Sequence, residues 1–66
     1  MQIQLNGKAH DLAADLTVAQ LIDTLGLTGR RIAVELNEEI VPRSEHGTTR
    51  LSQGDRVEIV HAIGGG

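Results

Sequence analysis

The sequence predicts an α+β protein in which a mixed sheet of four to five strands carries one main helix on one face. Three observations lead to this fold class. A short stretch at the start alternates apolar and polar residues up to an Asn-Gly turn, a later stretch repeats its apolar residues at helical spacing, and the second half alternates again. A helix with one apolar stripe and a sheet with one apolar face bury each other in two layers. All 66 residues fit a single domain of this kind.

The first predicted element is a β-hairpin. Residues 1–5 read MQIQL, which is the alternation of a strand with one solvated face. Asn6-Gly7 follows at once, and this pair tolerates the positive φ angles that a two-residue hairpin turn requires. We therefore expect residues 8–12 to form the returning strand.

A helix is predicted over residues 18–25. Its four long aliphatic residues recur at i, i+3, i+4 and i+7, which places them on one face. Thr17 and Gln20 have the spacing of a capping box, and Gly26 suits the left-handed residue that ends many helices.

A strand–turn–strand unit is predicted next. Residues 32–36 read IAVEL, so the first, third and fifth side chains point inward and the other two outward. We expect residues 37–39 to form a turn and residues 40–41 a short strand. Pro42 stops that strand, because proline has no N–H for a strand ladder.

The last predicted strand follows a polar segment. Residues 44–53 are expected to form a loop with room for one helical turn, and residues 54–55 to turn the chain into RVEIVHAI. In this strand Val57, Ile59 and His61 share one face, on which we expect His61 to be partly buried.

Composition and charge exclude several classes of function. The chain has no cysteine, which removes disulfides and thiolate metal sites, and no aromatic residue on which a nucleic-acid base could stack. Its net charge of −3 argues against nucleic acid as a partner. The apolar runs are too short for a membrane span, and the first residues lack the pattern of a signal peptide. We therefore expect a cytoplasmic protein.

The polar side chains form no catalytic or metal-binding motif. His10, His46 and His61 have no ligand spacing, and Ser44 with His46 has no group to orient the histidine. The carboxylates of residues 37–39 are typical of a solvated turn. We expect neither a metal site nor catalysis by this chain alone.

A basic docking site stays open as an alternative. Four arginines could gather into a patch for an acidic partner: Arg30, Arg31, Arg43 and Arg50. In an acidic chain such residues more often form surface ion pairs of small net value.

The final residues, HAIGGG, allow two interpretations. Ordering glycine costs more backbone entropy than ordering any other residue, so the pattern alone favours a disordered tail. No helix follows the glycines, which excludes a phosphate-binding loop. The second interpretation is that the terminal carboxylate is the working group.

The chain resembles the ThiS family of ubiquitin-like sulfur carriers. The blocks that carry the resemblance are NG at 6–7, TVAQLIDTL at 17–25, AVELNEEIVPRS at 33–44, GDRVEIV at 54–60 and the terminal GG. The block N-x-x-I-V-P-R-S is the specific part, and the resemblance covers essentially the whole chain. It implies a β-grasp fold with the first and last strands side by side at the sheet centre. Residues 1–61 then form the domain and residues 62–66 a flexible tail.

The resemblance implies a carrier protein that is modified but is not itself an enzyme. An E1-like enzyme of the ThiF type adenylates the Gly66 carboxylate and supplies the site for ATP and magnesium, so this chain binds no cofactor. Sulfur derived from cysteine then replaces AMP. The resulting thiocarboxylate donates sulfur to a thiazole synthase of the ThiG type in thiamine biosynthesis. The free carrier is expected to be a monomer.

Two groups of residues are expected to contact the partners. Ile63, Gly64 and Gly65 form the tail before the modified Gly66, and the glycines, which have no Cβ atoms, can enter a narrow channel. Val60 and Ala62 point away from the face of Val57 if the strand keeps its alternation, and this exposes an apolar docking face. Ordinary packing against a neighbouring segment is the competing interpretation of that face.

Three other functions remain as alternatives. A MoaD-like carrier for molybdopterin usually has prolines before its final glycines, where this chain reads VHAI at 60–63, and this favours the ThiS type. A ubiquitin-like modifier would form isopeptide bonds with lysines. A plain binding module would carry an idle tail.

Overall fold

Five strands and one α-helix make up the fold between residues 1 and 62, the part of the chain that the structure, a computed structural model, describes. The elements are β1 (Gln2–Leu5), β2 (Lys8–Asp11), α1 (Val18–Thr24), β3 (Ile32–Leu36), β4 (Glu39–Val41), a 3₁₀ helix (Arg43–Glu45) and β5 (Arg56–His61). The strand order is β2-β1-β5-β3-β4. β1 and β5 are parallel neighbours at the centre, as predicted, and the other pairs are antiparallel.

Each half of the sheet is a hairpin whose turn begins with an asparagine in the left-handed region. Asn6 and Gly7 have φ angles of 51° and 82°, and Asn37 and Glu38 have φ angles of 50° and 73°. Positive φ at both turn residues matches the twist of the flanking strands. Both predicted hairpins are confirmed, but Glu39, which was expected in the second turn, is the first residue of β4.

Helix α1 begins and ends as its sequence predicts. The backbone N–H of Gln20 donates to the Thr17 hydroxyl (3.2 Å), and the backbone N–H of Thr17 donates to the Gln20 side chain (2.9 Å), which completes the capping box. Gly26 has a φ of 74° just past the C-cap residue Leu25. Its N–H and the next one donate back to carbonyls of the last turn, as in a Schellman motif.

The core lies between α1 and one face of the sheet. Its buried side chains are all aliphatic: Ile3, Leu12, Val18, Leu21, Ile22, Val34, Val41, Leu51, Val57 and Ile59. Aliphatic burial of this kind is the main stabilising contribution in a domain without disulfides.

Leu51 is the core residue that the sequence pattern missed. It was expected in a polar loop, but it is buried, and its N–H donates to the Leu16 carbonyl (2.8 Å). The neighbouring Arg50 forms an isolated antiparallel β-bridge with Thr17. The loop is therefore attached to the start of α1. A single leucine among polar neighbours forms no periodic apolar pattern, so the sequence does not indicate that it is buried.

The structure also corrects the expectation that His61 is partly buried. Its side chain is exposed, although alternation places it on the same face as the buried Ile59. The pairing of β1 with β5 ends at Val57, so within residues 1–62 no strand lies beside His61 on that side. The imidazole borders a surface pocket that Leu25 and Leu27 also line.

Candidate functional site

β5 is the strand that leads directly to the glycine run. It lies between β1 and β3, and its register with β3 runs from Val57 opposite Leu36 to His61 opposite Ile32. One hydrogen bond extends this pairing past the strand end, because the N–H of Ala62 donates to the Arg31 carbonyl (2.9 Å). The glycine run therefore follows the central strand of the sheet in the sequence.

Two asparagine side chains bind the backbone of β5. Asn6 Oδ1 accepts from the N–H of Ile59 (2.8 Å), and Asn6 Nδ2 donates to the carbonyl of the same residue (3.3 Å). Asn37 Oδ1 accepts from the N–H of Arg56 (2.9 Å) at the other end of the strand. The side-chain amide of Asn6 thus takes the place of a strand residue after β1 has turned away.

The sequence predicted these asparagines only as turn residues. The backbone partner of Asn6 lies 53 residues further along the chain, so no local pattern could have revealed the bond. The positive φ of each residue and its long-range hydrogen bonds arise from the same turn geometry.

An exposed apolar strip lies on the face of the sheet opposite α1. It consists of Ala33, Ile40, Val60 and Ala62, and we call it the open-face strip. Ala33 lies directly opposite Val60, and Ile40 lies opposite Glu35, diagonal to Ala33. Val60 is 58% exposed and Ile40 is 71% exposed. The predicted outward direction of Val60 and Ala62 agrees with this geometry, whereas Ala33 and Ile40 were not predicted as part of a face.

Charged side chains border the open-face strip at both ends. Glu35 and Glu58 lie directly opposite each other, and with Glu38 and Arg56 they line a shallow pocket of about 200 Å³. Continuation of the register places Arg31 opposite Ala62, at the C-terminal end of β5. An apolar surface between acidic and basic side chains is typical of a polar-rimmed protein interface.

The four arginines of the alternative basic site do not all share one surface feature. Arg43 reaches back to donate a hydrogen bond to the Arg30 carbonyl (3.4 Å), and both line a pocket beside α1. Arg50 instead pairs with Thr17 and borders a different pocket.

The remaining predicted site residues are the tail itself. Ile63, Gly64, Gly65 and Gly66 lie outside the residues that the structure describes. Within residues 1–62 no three His, Asp or Glu side chains gather as a metal site would require. In the same range no helix is long and apolar enough to cross a membrane.

Comparison with known proteins gives one consistent family. The sequence model of the ThiS family matches residues 3–66. The sulfur carrier protein ThiS of Escherichia coli (strain K12) is 33% identical over 66 residues, and the match covers 100% of each chain. The crystal structure of a thiamine biosynthesis protein (ThiS) from Geobacter metallireducens has a TM-score of 0.88 and 32% identity, again over 100% of each chain.

Longer relatives contain the same region. A thiazole synthase of Paramagnetospirillum magneticum is 42% identical over 66 residues, which is 100% of this chain and 20% of that protein. The chain thus spans about a fifth of the length of the thiazole synthases it matches. The family match over residues 3–66, the carriers matched from end to end and the β-grasp sheet agree, and the chain belongs to the ThiS family.

Proposed function

We propose that this chain is a sulfur carrier of thiamine biosynthesis whose Gly66 carboxylate becomes a thiocarboxylate. The observation that carries the proposal is the end-to-end match with a ThiS carrier, which aligns the diglycine of this chain with the end of that protein. The fold is consistent with this role, because β5 lies between β1 and β3 and is the strand that precedes the glycines in the sequence. The chain itself contributes the carboxylate and the docking surface and is not an enzyme.

The chemistry requires activation because a carboxylate resists nucleophilic attack. In an activating enzyme that provides ATP and magnesium, a Gly66 carboxylate oxygen attacks the α-phosphorus and pyrophosphate leaves. The terminal sulfur of a cysteine-derived persulfide then attacks the acyl carbon, and AMP leaves. A second thiol cleaves the new S–S bond, which yields the thiocarboxylate and a disulfide. No cysteine of the carrier can intercept the activated acyl group, since the chain has none.

The tail must reach into its partners for these steps. Residues 62–66 can span about 17 Å when extended. Ile63, Gly64 and Gly65 would occupy the entry channel of the partner, and glycines permit close approach of the channel walls. The acceptor of the sulfur is a thiazole synthase, which is consistent with the relatives of that name that contain this region.

The open-face strip is the proposed docking surface for the activating enzyme. Val60 and Ala62 are exposed, and they are the described part of the open face nearest the tail. Ile40 and Ala33 enlarge the same apolar surface by cross-strand proximity. Burying such a surface against a partner would add affinity where the tail enters.

Intact-mass spectrometry tests the proposal. The chain ending at Gly66 is incubated with a ThiS-activating enzyme, ATP, magnesium and a persulfide donor that convert an authentic ThiS carrier. We expect a mass gain equal to the replacement of one oxygen by sulfur, located at Gly66. Failure of this chain to gain that mass beside the converted carrier would contradict the proposal.

A chain with one alanine added after Gly66 is the matched control. It keeps the whole fold but moves the carboxylate to a residue with a Cβ atom, so we expect no conversion. Equal conversion of both chains would show that the diglycine end is not what the enzyme recognises. Recovery of the chain on target lysines would select the modifier alternative instead.

A further inference from the structure

We infer that Asn6 is a positioning residue for the modification of the tail, an inference that rests on the proposed function. Asn6 lies in the β1–β2 turn and holds β5 at Ile59, three residues before Ala62. The side chain therefore acts on the tail through the strand that carries it. It does not touch the reacting carboxylate in this role.

The hydrogen-bond pattern of β5 explains why Asn6 matters for the strand end. The carbonyl of Val57 accepts from the N–H of Asn6 (2.9 Å), which is the last backbone bond from the β1 side within residues 1–62. The side-chain amide of Asn6 then provides one further pair of hydrogen bonds on that side, to the backbone of Ile59. Past that point, among the described residues, β5 is held by β3 alone, through the register that ends at His61 and the bond to Arg31.

Loss of the hydrogen bonds between Asn6 and Ile59 would leave the end of β5 paired on the β3 side only. Each residue that frays regains backbone entropy, and binding to the activating enzyme must then remove it again. The chemistry at Gly66 is unchanged once the tail is bound. We therefore expect a higher KM for the carrier and an unchanged kcat.

Asn37 is a matched internal control for this inference. It also begins a hairpin turn with a φ near that of Asn6, 50° against 51°, and it also binds the backbone of β5. Its partner, Arg56, is at the opposite end of the strand from the tail. A purely structural role would make the two asparagines equivalent, whereas a positioning role would not.

The test compares Asn6→Gly with Asn37→Gly. Glycine keeps the positive φ that each turn needs and removes only the side-chain hydrogen bonds. With ThiS-activating enzyme, ATP and a persulfide donor, we expect Asn6→Gly to raise the KM for the carrier about tenfold, a factor that corresponds to about 1.4 kcal/mol. We expect Asn37→Gly to change KM by less than about twofold, and kcat to stay within about twofold for both variants.

Hydrogen exchange of the backbone amides supplies a readout that does not depend on activity. Asn6→Gly should speed exchange at the Ile59 amide, and Asn37→Gly at the Arg56 amide. If Asn6→Gly does not fold, Asn6→Asp serves in its place. It keeps an acceptor for the Ile59 N–H but places a second acceptor oxygen against the Ile59 carbonyl, so its KM should also rise.

The outcomes separate this inference from the proposed function. A wild-type chain that gains no sulfur contradicts the proposed function itself. A wild-type chain that is converted, with Asn6 and Asn37 variants of equal KM, overturns the positioning role alone. A lowered kcat with unchanged KM in Asn6→Gly would also overturn it.

Discussion

The two faces of the sheet are built from the same strands, but one face is buried under α1 and the other is exposed. On the covered face, Val34 is fully buried and packs in the core under α1. On the open face, Val60 stands one register position away on the neighbouring strand and is 58% exposed. The difference teaches that apolar side chains on these strands do not all stabilise the fold. Those of the open face are available for a partner, as an exposed apolar surface usually indicates.

The largest expected effect comes from a matched pair of truncations. Val34→Ala should lower the free energy of unfolding by about 2–3 kcal/mol, because it removes two buried methyl groups and leaves a cavity. Val60→Ala should lower it by less than about 0.5 kcal/mol. Urea denaturation followed by circular dichroism measures both values. Similar losses for the two variants would mean that the open face contributes to the core after all.

A smaller effect is expected on binding, and there the open-face residues matter. We expect Ile40→Ala and Val60→Ala each to weaken binding to the activating enzyme about three- to tenfold, since both remove apolar contact area from the proposed docking surface. Titration calorimetry with ThiS-activating enzyme measures the dissociation constant. Ala9→Ser changes a solvent-exposed residue of the distant edge strand β2 and should bind like the wild type. Unchanged affinity of both truncations would remove the open-face strip from the docking surface.

The smallest expected effect concerns the acidic border of the open face. Glu35 and Glu58 lie directly opposite each other, and like charges in that arrangement repel. Glu35→Gln should therefore raise the free energy of unfolding by about 0.3 kcal/mol at low salt, and the gain should shrink at high salt. Denaturation at two ionic strengths measures it. A loss of stability instead would indicate that Glu35 makes a favourable contact on this face.

Local signals in the sequence predicted most of the fold. The Asn-Gly turn and the capping box at Thr17 each depend on residues within one turn of the chain, and both are confirmed. The predictions for Leu51 and His61 were wrong for different reasons. Leu51 has no periodicity around it that indicates burial, whereas for His61 alternation gives the direction of the side chain but not whether anything covers it.

The candidate site was predictable only in part. Alternation sufficed to turn Val60 and Ala62 outward. The addition of Ile40 to that surface required the register of β4 on β3, and the role of Asn6 required knowing that β1 adjoins β5. Such contacts join residues far apart along the chain, which no short window of sequence contains.

The placement of β5 has a consequence for the synthesis of this protein. Within residues 1–62, β5 is the last strand along the chain, and it also joins the two hairpins into a single sheet. Before Arg56–His61 exists, β1 and β3 each have an open edge, and the core lacks Val57 and Ile59. A translation product interrupted ahead of β5 should stay unfolded and be removed by proteases. Folding therefore requires that β5 has been translated, so every folded molecule contains the chain at least as far as the strand that precedes the tail.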